Sequence, residues 1–114
     1  MSTPSGMIDV LSERVRQRAP KPSGEGWDDE HDDFEHIPGD LAAAAICYAR
    51  DGVASASALR PDDWPWSDNW WKPKGRRRNL VRAAALLIAE IDRFDRDAER
   101  GRREAAEAAK GGKP

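Results

Sequence analysis

The chain has 114 residues, of which 35% are charged and 39% hydrophobic, with a formal charge of -2. That length favours one domain and argues against a multidomain enzyme, and the balance of 19 basic against 21 acidic residues excludes a polycation that coats nucleic acid. A single cysteine, Cys47, excludes an intrachain disulfide framework and any zinc site built from several thiolates.

The first predicted element is a short amphipathic helix over 7–17, with apolar residues at 7, 8, 10, 11 and 15, stopped by Pro20 and Pro22. It reads as a packing arm, followed by a mobile connector over 18–26. A strongly acidic segment, WDDEHDDFEH, occupies 27–36. Pro38, Gly39 and Asp40 announce a second helix over 41–49, with Gly52 placed to end it. Apolar nearly all round, it should be the most buried element, and with so little large core volume elsewhere it calls for a partner or a second copy to cover it. Residues 59–75 form a Pro- and Trp-rich loop. The third helix is predicted over 77–97. At 100° per residue, Leu80, Ala84, Leu87, Ile91 and Phe94 share a narrow arc, which is read as the packed face, with Arg82 and Arg93 on the wet side. Beyond Ala98 the charged sequence is read as a frayed or disordered tail.

With no strand alternation and no internal repeat, the fold class is all-α: a small bundle of about three helices with a Trp/Pro loop and a loose C-terminal tail. The organisation is a helix and linker over 1–26, a helical core domain over 27–97 and a charged tail over 98–114. No apolar run approaches the ~20 residues of a membrane span, and the MSTPSG start lacks a secretory signal, so a soluble cytoplasmic protein with no membrane partner is expected.

Three constellations carry candidate chemistry. In the first, Glu30 with Asp33 at i,i+3, or Asp32 or Asp33 with His36, can share a helix face, and paired carboxylates are hard ligands suited to Mg²⁺ or Mn²⁺. His31 and His36, five apart, do not form an HExxH pair but can position or deprotonate water. The bland reading is a solvated acidic turn in which Asp28 or Asp29 caps a helix. The second is Glu90, a lone carboxylate in the apolar sector of the third helix that needs a metal, an arginine or a capping amide, the plain alternative being a pair with Arg93. In the third, Trp64, Trp66, Trp70 and Trp71 precede Lys72, Lys74, Arg76, Arg77 and Arg78. The indoles either plug the mouth of the core or stack a base, and cations at a helix start call for a compensating anion, a phosphate or an internal carboxylate.

The motifs Glu13-Arg14 with Arg16-Gln17, Gly26-Trp27 with Glu30-His31-Asp32-Asp33 and His36, Gly39 with Leu41-Ala42, Cys47-Tyr48-Ala49, Trp64-Pro65-Trp66, Trp71-Lys72-Pro73, Arg77-Arg78-Asn79-Leu80-Val81 and Ala89-Glu90-Ile91-Asp92-Arg93 together resemble a pattern of small bacteriophage and prophage proteins, over about residues 11–96. Glu30-x-x-Asp33 with Glu90 more faintly resembles the all-α MazG-like nucleotide pyrophosphohydrolases, although Arg93 stands where that pattern has an acid.

The phage resemblance implies a small accessory protein that binds and inhibits or sequesters a host protein or protein–nucleic-acid complex, an anti-defence factor of the anti-CRISPR kind. Asp28, Asp29, Asp32 and Asp33 would mimic nucleic acid, and the Trp residues would anchor the interface. The MazG-like resemblance implies instead a Mg²⁺-dependent hydrolase, with Glu30, Asp33 and Glu90 on the metal, His31 or His36 at the water and Arg77 and Arg78 on the phosphates. A nucleotide binder without turnover is the third reading. Incomplete acidic half-sites tilt the sequence towards binding without catalysis and leave no cofactor required.

Overall fold

The computed structural model describes residues 3–28, 38–51 and 59–111. Among them are three α-helices and no strand: α1 (Gly6–Arg18), α2 (Asp40–Asp51) and α3 (Arg76–Gly111), with a 3-10 turn at Asp68–Trp70. The all-α expectation holds, and no described helix is long and apolar enough to cross a membrane.

Helix α1 carries Asp9 in its first turn and Arg16 and Arg18 in its last, the arrangement its macrodipole favours. The segment after it is not the free connector that its composition predicts. The Gly26 N–H donates to the Ala19 carbonyl at 2.7 Å and the Trp27 N–H to the Gln17 carbonyl at 2.7 Å, so the chain folds back over the end of α1. Gly24 permits that turn, because a Cβ there would lie 2.2 Å from the Arg16 carbonyl oxygen.

Helix α2 is the core element. Leu41, Ala44, Ala45, Cys47 and Tyr48 are buried against Ala83, Leu86 and Ala89 of α3 and against Trp27, Trp64 and Trp71. Short alanine side chains on both helices let the backbones approach closely, and the indoles supply the volume that two phenylalanines and one tyrosine cannot. The cover that the sequence seeks for α2 is thus supplied largely from within the chain, with Ile46 left exposed.

The face of α3 that packs is the opposite of the predicted one. Asn79, Arg82, Ala83, Leu86, Ala89 and Arg93 point inward and are buried, whereas Leu80, Leu87, Ile91 and Phe94 are 41, 45, 59 and 72% exposed. Helix α1 shows the same inversion, with Glu13, Arg14 and Gln17 buried and Met7, Ile8, Leu11 and Val15 in water. The physical reason lies in the partners. The inward face of α3 offers the Arg78 and Arg82 guanidinium groups to the buried Glu13 carboxylate of α1 and small residues to α2, and such a face outcompetes a bulkier apolar one where buried charges meet a counter-charge.

Helix α3 continues through the region predicted to fray and ends at Gly111, although every residue over 101–111 is exposed. Ion pairs Asp97–Arg100 and Glu99–Arg102 at i,i+3, together with an alanine-rich composition, support helix there without tertiary packing. The projecting helix explains a radius of gyration of 17.3 Å and a longest extent of 66 Å, against about 13 Å for the radius of a compact domain of this length.

Candidate functional site

The aromatic loop and the basic start of α3 form one continuous assembly with α1 and α2. Tyr48 sits at its centre, its ring stacked on Trp71 with centroids 4.8 Å apart and edge-on to Trp64 at 5.5 Å. Trp64 meets Trp71 at 4.9 Å and Trp66 at 5.4 Å, and Trp27 meets Trp66 at 5.3 Å and Trp70 at 5.6 Å, so all five tryptophans belong to one cluster. The polar ends of Tyr48 and Trp64 are tied to the loop backbone. The Tyr48 hydroxyl donates to the Trp70 carbonyl at 3.2 Å and accepts the Lys72 N–H at 3.1 Å, and the Trp64 indole N–H donates to the Ser67 carbonyl at 3.0 Å. Trp64 and Trp71 are buried, and Trp66 and Trp70 are half-buried. Of the two readings open for these indoles, the geometry places at least Trp64 and Trp71 in the core.

Asn79 locks the loop to the helix that follows. Its side-chain carbonyl accepts the Lys74 N–H at 2.7 Å, and its amide donates to the Lys74 carbonyl at 2.8 Å. Fully buried, it satisfies both backbone groups of the residue two before the helix start, which is why the loop enters α3 at a defined angle.

The basic run finds its anions inside the chain. Arg77 pairs with Asp9 at 2.8 Å, Arg78 with Glu13 at 2.5 Å, and Arg76 donates to the Ala49 carbonyl at 2.6 Å. Arg82 donates to the Lys72 carbonyl, lies 3.8 Å from Glu13 and stands 5.2 Å from the centre of the Tyr48 ring. Glu13 is the hub: Arg16 binds it at 2.8 and 2.9 Å, Gln17 donates to it at 3.2 Å, and Arg16 also reaches Glu25 at 3.2 Å. Burial pushes the Glu13 carboxyl upward, but the hydrogen bonds from Arg16 and the charges of Arg16, Arg78 and Arg82 outweigh it, so the net shift is downward. The internal-carboxylate alternative therefore describes Arg77 and Arg78, which leaves less capacity for phosphates than their density in the sequence suggests.

Lys21, Lys72 and Lys74 remain outward. The Lys21 and Lys72 ammonium groups each stand 5.2 Å from the Trp70 ring, and Lys72 also lies 3.9 Å from Glu25. Lys74 is exposed beside them.

Glu90 is half-buried and lines a small cavity with Pro38, Gly39, Arg93, Phe94 and Asp97. Arg93, expected in solvent, is buried there with Nε and Nη1 lacking a hydrogen-bond partner among the described residues. Asp28 is exposed. Asp29, Glu30, His31, Asp32, Asp33 and His36 lie outside the described residues, so the geometry does not bear on whether they meet Glu90 around a metal. Among the described residues, Cys47, Asp51 and Asp63 are grouped closely enough to hold an ion, but Arg50 already pairs with both aspartates, reaching Asp63 at 2.8 Å. Burial, then the neighbouring Asp63 carboxylate, raises the Cys47 thiol to about 11, which makes it a poor ligand and a poor nucleophile at neutral pH.

Sequence reasoning missed Glu13, Asn79 and Arg82 as organising residues. The available signal was complementarity: Asp9 and Glu13 share one face of α1, and Arg78 and Arg82 share one face of α3. Compared with known proteins, the chain matches no family model, no curated sequence and no solved structure.

Proposed function

We propose that the chain is a small non-catalytic binding protein of the phage accessory type, which attaches to a host protein through the outward face of α1. One observation carries this reading. The polar side of α1 is pinned by the Asp9–Arg77 and Glu13–Arg78 ion pairs, so Met7, Ile8, Leu11 and Val15 cannot roll inward to be buried. Turning the helix would strand Glu13 and its arginines without partners, a loss that exceeds the gain from covering a few apolar side chains. A helix that presents residues at i, i+1, i+4 and i+8 to solvent has the anchor spacing of a helix laid into a partner's groove. The resemblance to small phage proteins supplies the class of partner, a host component whose inhibition benefits the phage. The satisfied state of Arg77 and Arg78 weighs against a phosphate clamp and so against nucleotide hydrolysis.

The test expresses the chain in bacteria carrying an RNA-guided nuclease defence and measures phage plating. The wild-type chain is expected to restore plating, and Leu11→Glu/Val15→Glu, which leaves the ion-paired side intact, is expected to lose that effect while keeping its helical circular dichroism. Incubation with a nucleoside triphosphate panel, with and without Mg²⁺, is expected to give no products. Metal-dependent turnover would overturn the reading in favour of the hydrolase, and tight nucleotide retention without products would favour the nucleotide binder.

A further inference from the structure

The outward residues of α3 follow a rule that the inward ones do not. Leu80, Ala84, Leu87, Ile91, Phe94 and Ala98 alternate spacings of four and three, and the same alternation continues through Gly101, Ala105 and Ala108. No seam position carries a charge, although this stretch of α3 holds most of the helix's charged residues. Over 98–111, where Glu99, Arg100, Arg102, Arg103, Glu104, Glu107 and Lys110 crowd the sequence, the seam keeps to alanine and glycine. A repeat of seven sustained for four turns of the pattern is the mark of a coiled-coil seam, and a helix that faces only solvent has no reason to keep it. The exposed part of Leu80, Leu87, Ile91 and Phe94 amounts to an apolar stripe on the order of 400 Å², the size of the largest patch on a typical monomer.

We propose that this face of α3 pairs with the same face of a second copy of the chain, antiparallel, to form a two-helix coiled-coil dimer. The seam's own sizes select the occupant and its direction. Antiparallel pairing about a two-fold axis near Ala89 sets Leu80 opposite Ala98, Ala84 opposite Phe94 and Leu87 opposite Ile91, so that Ala84 and Ala98 each receive a large residue. Over the same stretch, 80–98, parallel pairing would instead set Phe94 against Phe94 and leave facing alanines at 84 and 98, an overfilled layer beside an underfilled one. The antiparallel register also carries Glu104 of each copy alongside the start of the other α3, where Arg76 and Arg77 stand exposed. In this register residues 76–102 of the two helices lie against each other, and 103–111 run on past the start of the partner helix. The paired stretch is about 40 Å long at 1.5 Å per residue. The interface is isologous and closes on itself. It uses a different helix from the α1 surface, so the two readings fail separately.

Analytical ultracentrifugation of the full chain over a concentration series tests it. The expected species has twice the 12.7 kDa chain mass. Leu87→Glu/Ile91→Glu is expected to weaken association on the order of a hundredfold or more while far-UV circular dichroism stays helical, because both side chains are already in water in the isolated chain. If that variant loses helix, Phe94→Ser supplies the same readout at the most exposed seam position. Leu11→Glu on α1 is expected to leave the mass unchanged. Direction is read by oxidative cross-linking on a Cys47→Ser background, where a mixture of Leu80→Cys and Ala98→Cys chains is expected to cross-link with each other and neither with itself. A wild-type chain that stays monomeric at high micromolar concentration, or a dimer that survives Leu87→Glu/Ile91→Glu, overturns the proposal. Leu80→Cys homodimers overturn its antiparallel direction.

Discussion

Glu13 shows how one carboxylate organises a small fold. It is 1% exposed, yet its two oxygens accept from Arg16, Gln17 and Arg78, so the cost of burying the charge is offset by partners that are themselves held by helix geometry. Removing the anion would leave several cations facing one another. Glu13→Ala is therefore expected to lower the unfolding free energy by about 3 kcal/mol, measured by chemical denaturation. Because its pKa is depressed in the folded state, the stabilisation it gives is present above the ordinary glutamate range and disappears as pH falls through and below that range. An acid titration of stability should consequently be shallower for Glu13→Gln than for the wild type. Cys47 makes the opposite prediction. With its thiol raised to about 11 and buried, it should resist alkylation at pH 7.5 in the folded chain and react promptly in denaturant.

At the scale of the elements, the turn after α1 and the aromatic loop set the geometry. Gly24→Ala places a methyl group 2.2 Å from the Arg16 carbonyl oxygen, so the turn must open, and a loss of about 2 kcal/mol is expected in thermal or chemical denaturation. Trp64→Ala, which removes a buried ring that touches Tyr48, Trp66 and Trp71, is expected to cost about 4 kcal/mol. The existence of three helices, the burial of α2 and the plugging role of the indoles were legible from periodicity and composition. The inward face of α3 was not. A helical wheel ranks faces by hydropathy, whereas the packing of α3 was decided by whether Arg78 and Arg82 met Glu13 across the interface and whether alanines of α2 and α3 matched in shape. Those are properties of pairs of elements, and a wheel treats one element at a time. The end of α3 was misjudged for a related reason: the absence of large apolar residues after Ala98 signals lack of packing, not lack of helix. Of the carboxylates proposed for a metal, Glu90 is half-buried beside the Pro38–Gly39 turn, and Glu30 and Asp33 lie outside the described residues.

On the scale of the whole molecule, the division of labour between the two sides of α3 is the governing feature. One side carries the chain's own core and ion pairs, and the other projects an uncharged seam along a helix that outruns the body. Truncation after Arg100 should therefore leave the packed body intact, with an unfolding free energy from chemical denaturation within about 0.5 kcal/mol of the full chain's at concentrations where both are monomeric.

The aromatic cluster has a further physical consequence. Rings held edge to face or stacked at centroid separations between 4.8 and 5.6 Å share their electronic excitations, so the far-ultraviolet dichroism of this chain should carry an exciton couplet superimposed on the helical bands. Light absorbed by the lone tyrosine should emerge as indole emission. Loss of the couplet before loss of the helical bands would report that the hub has loosened while α3 still stands.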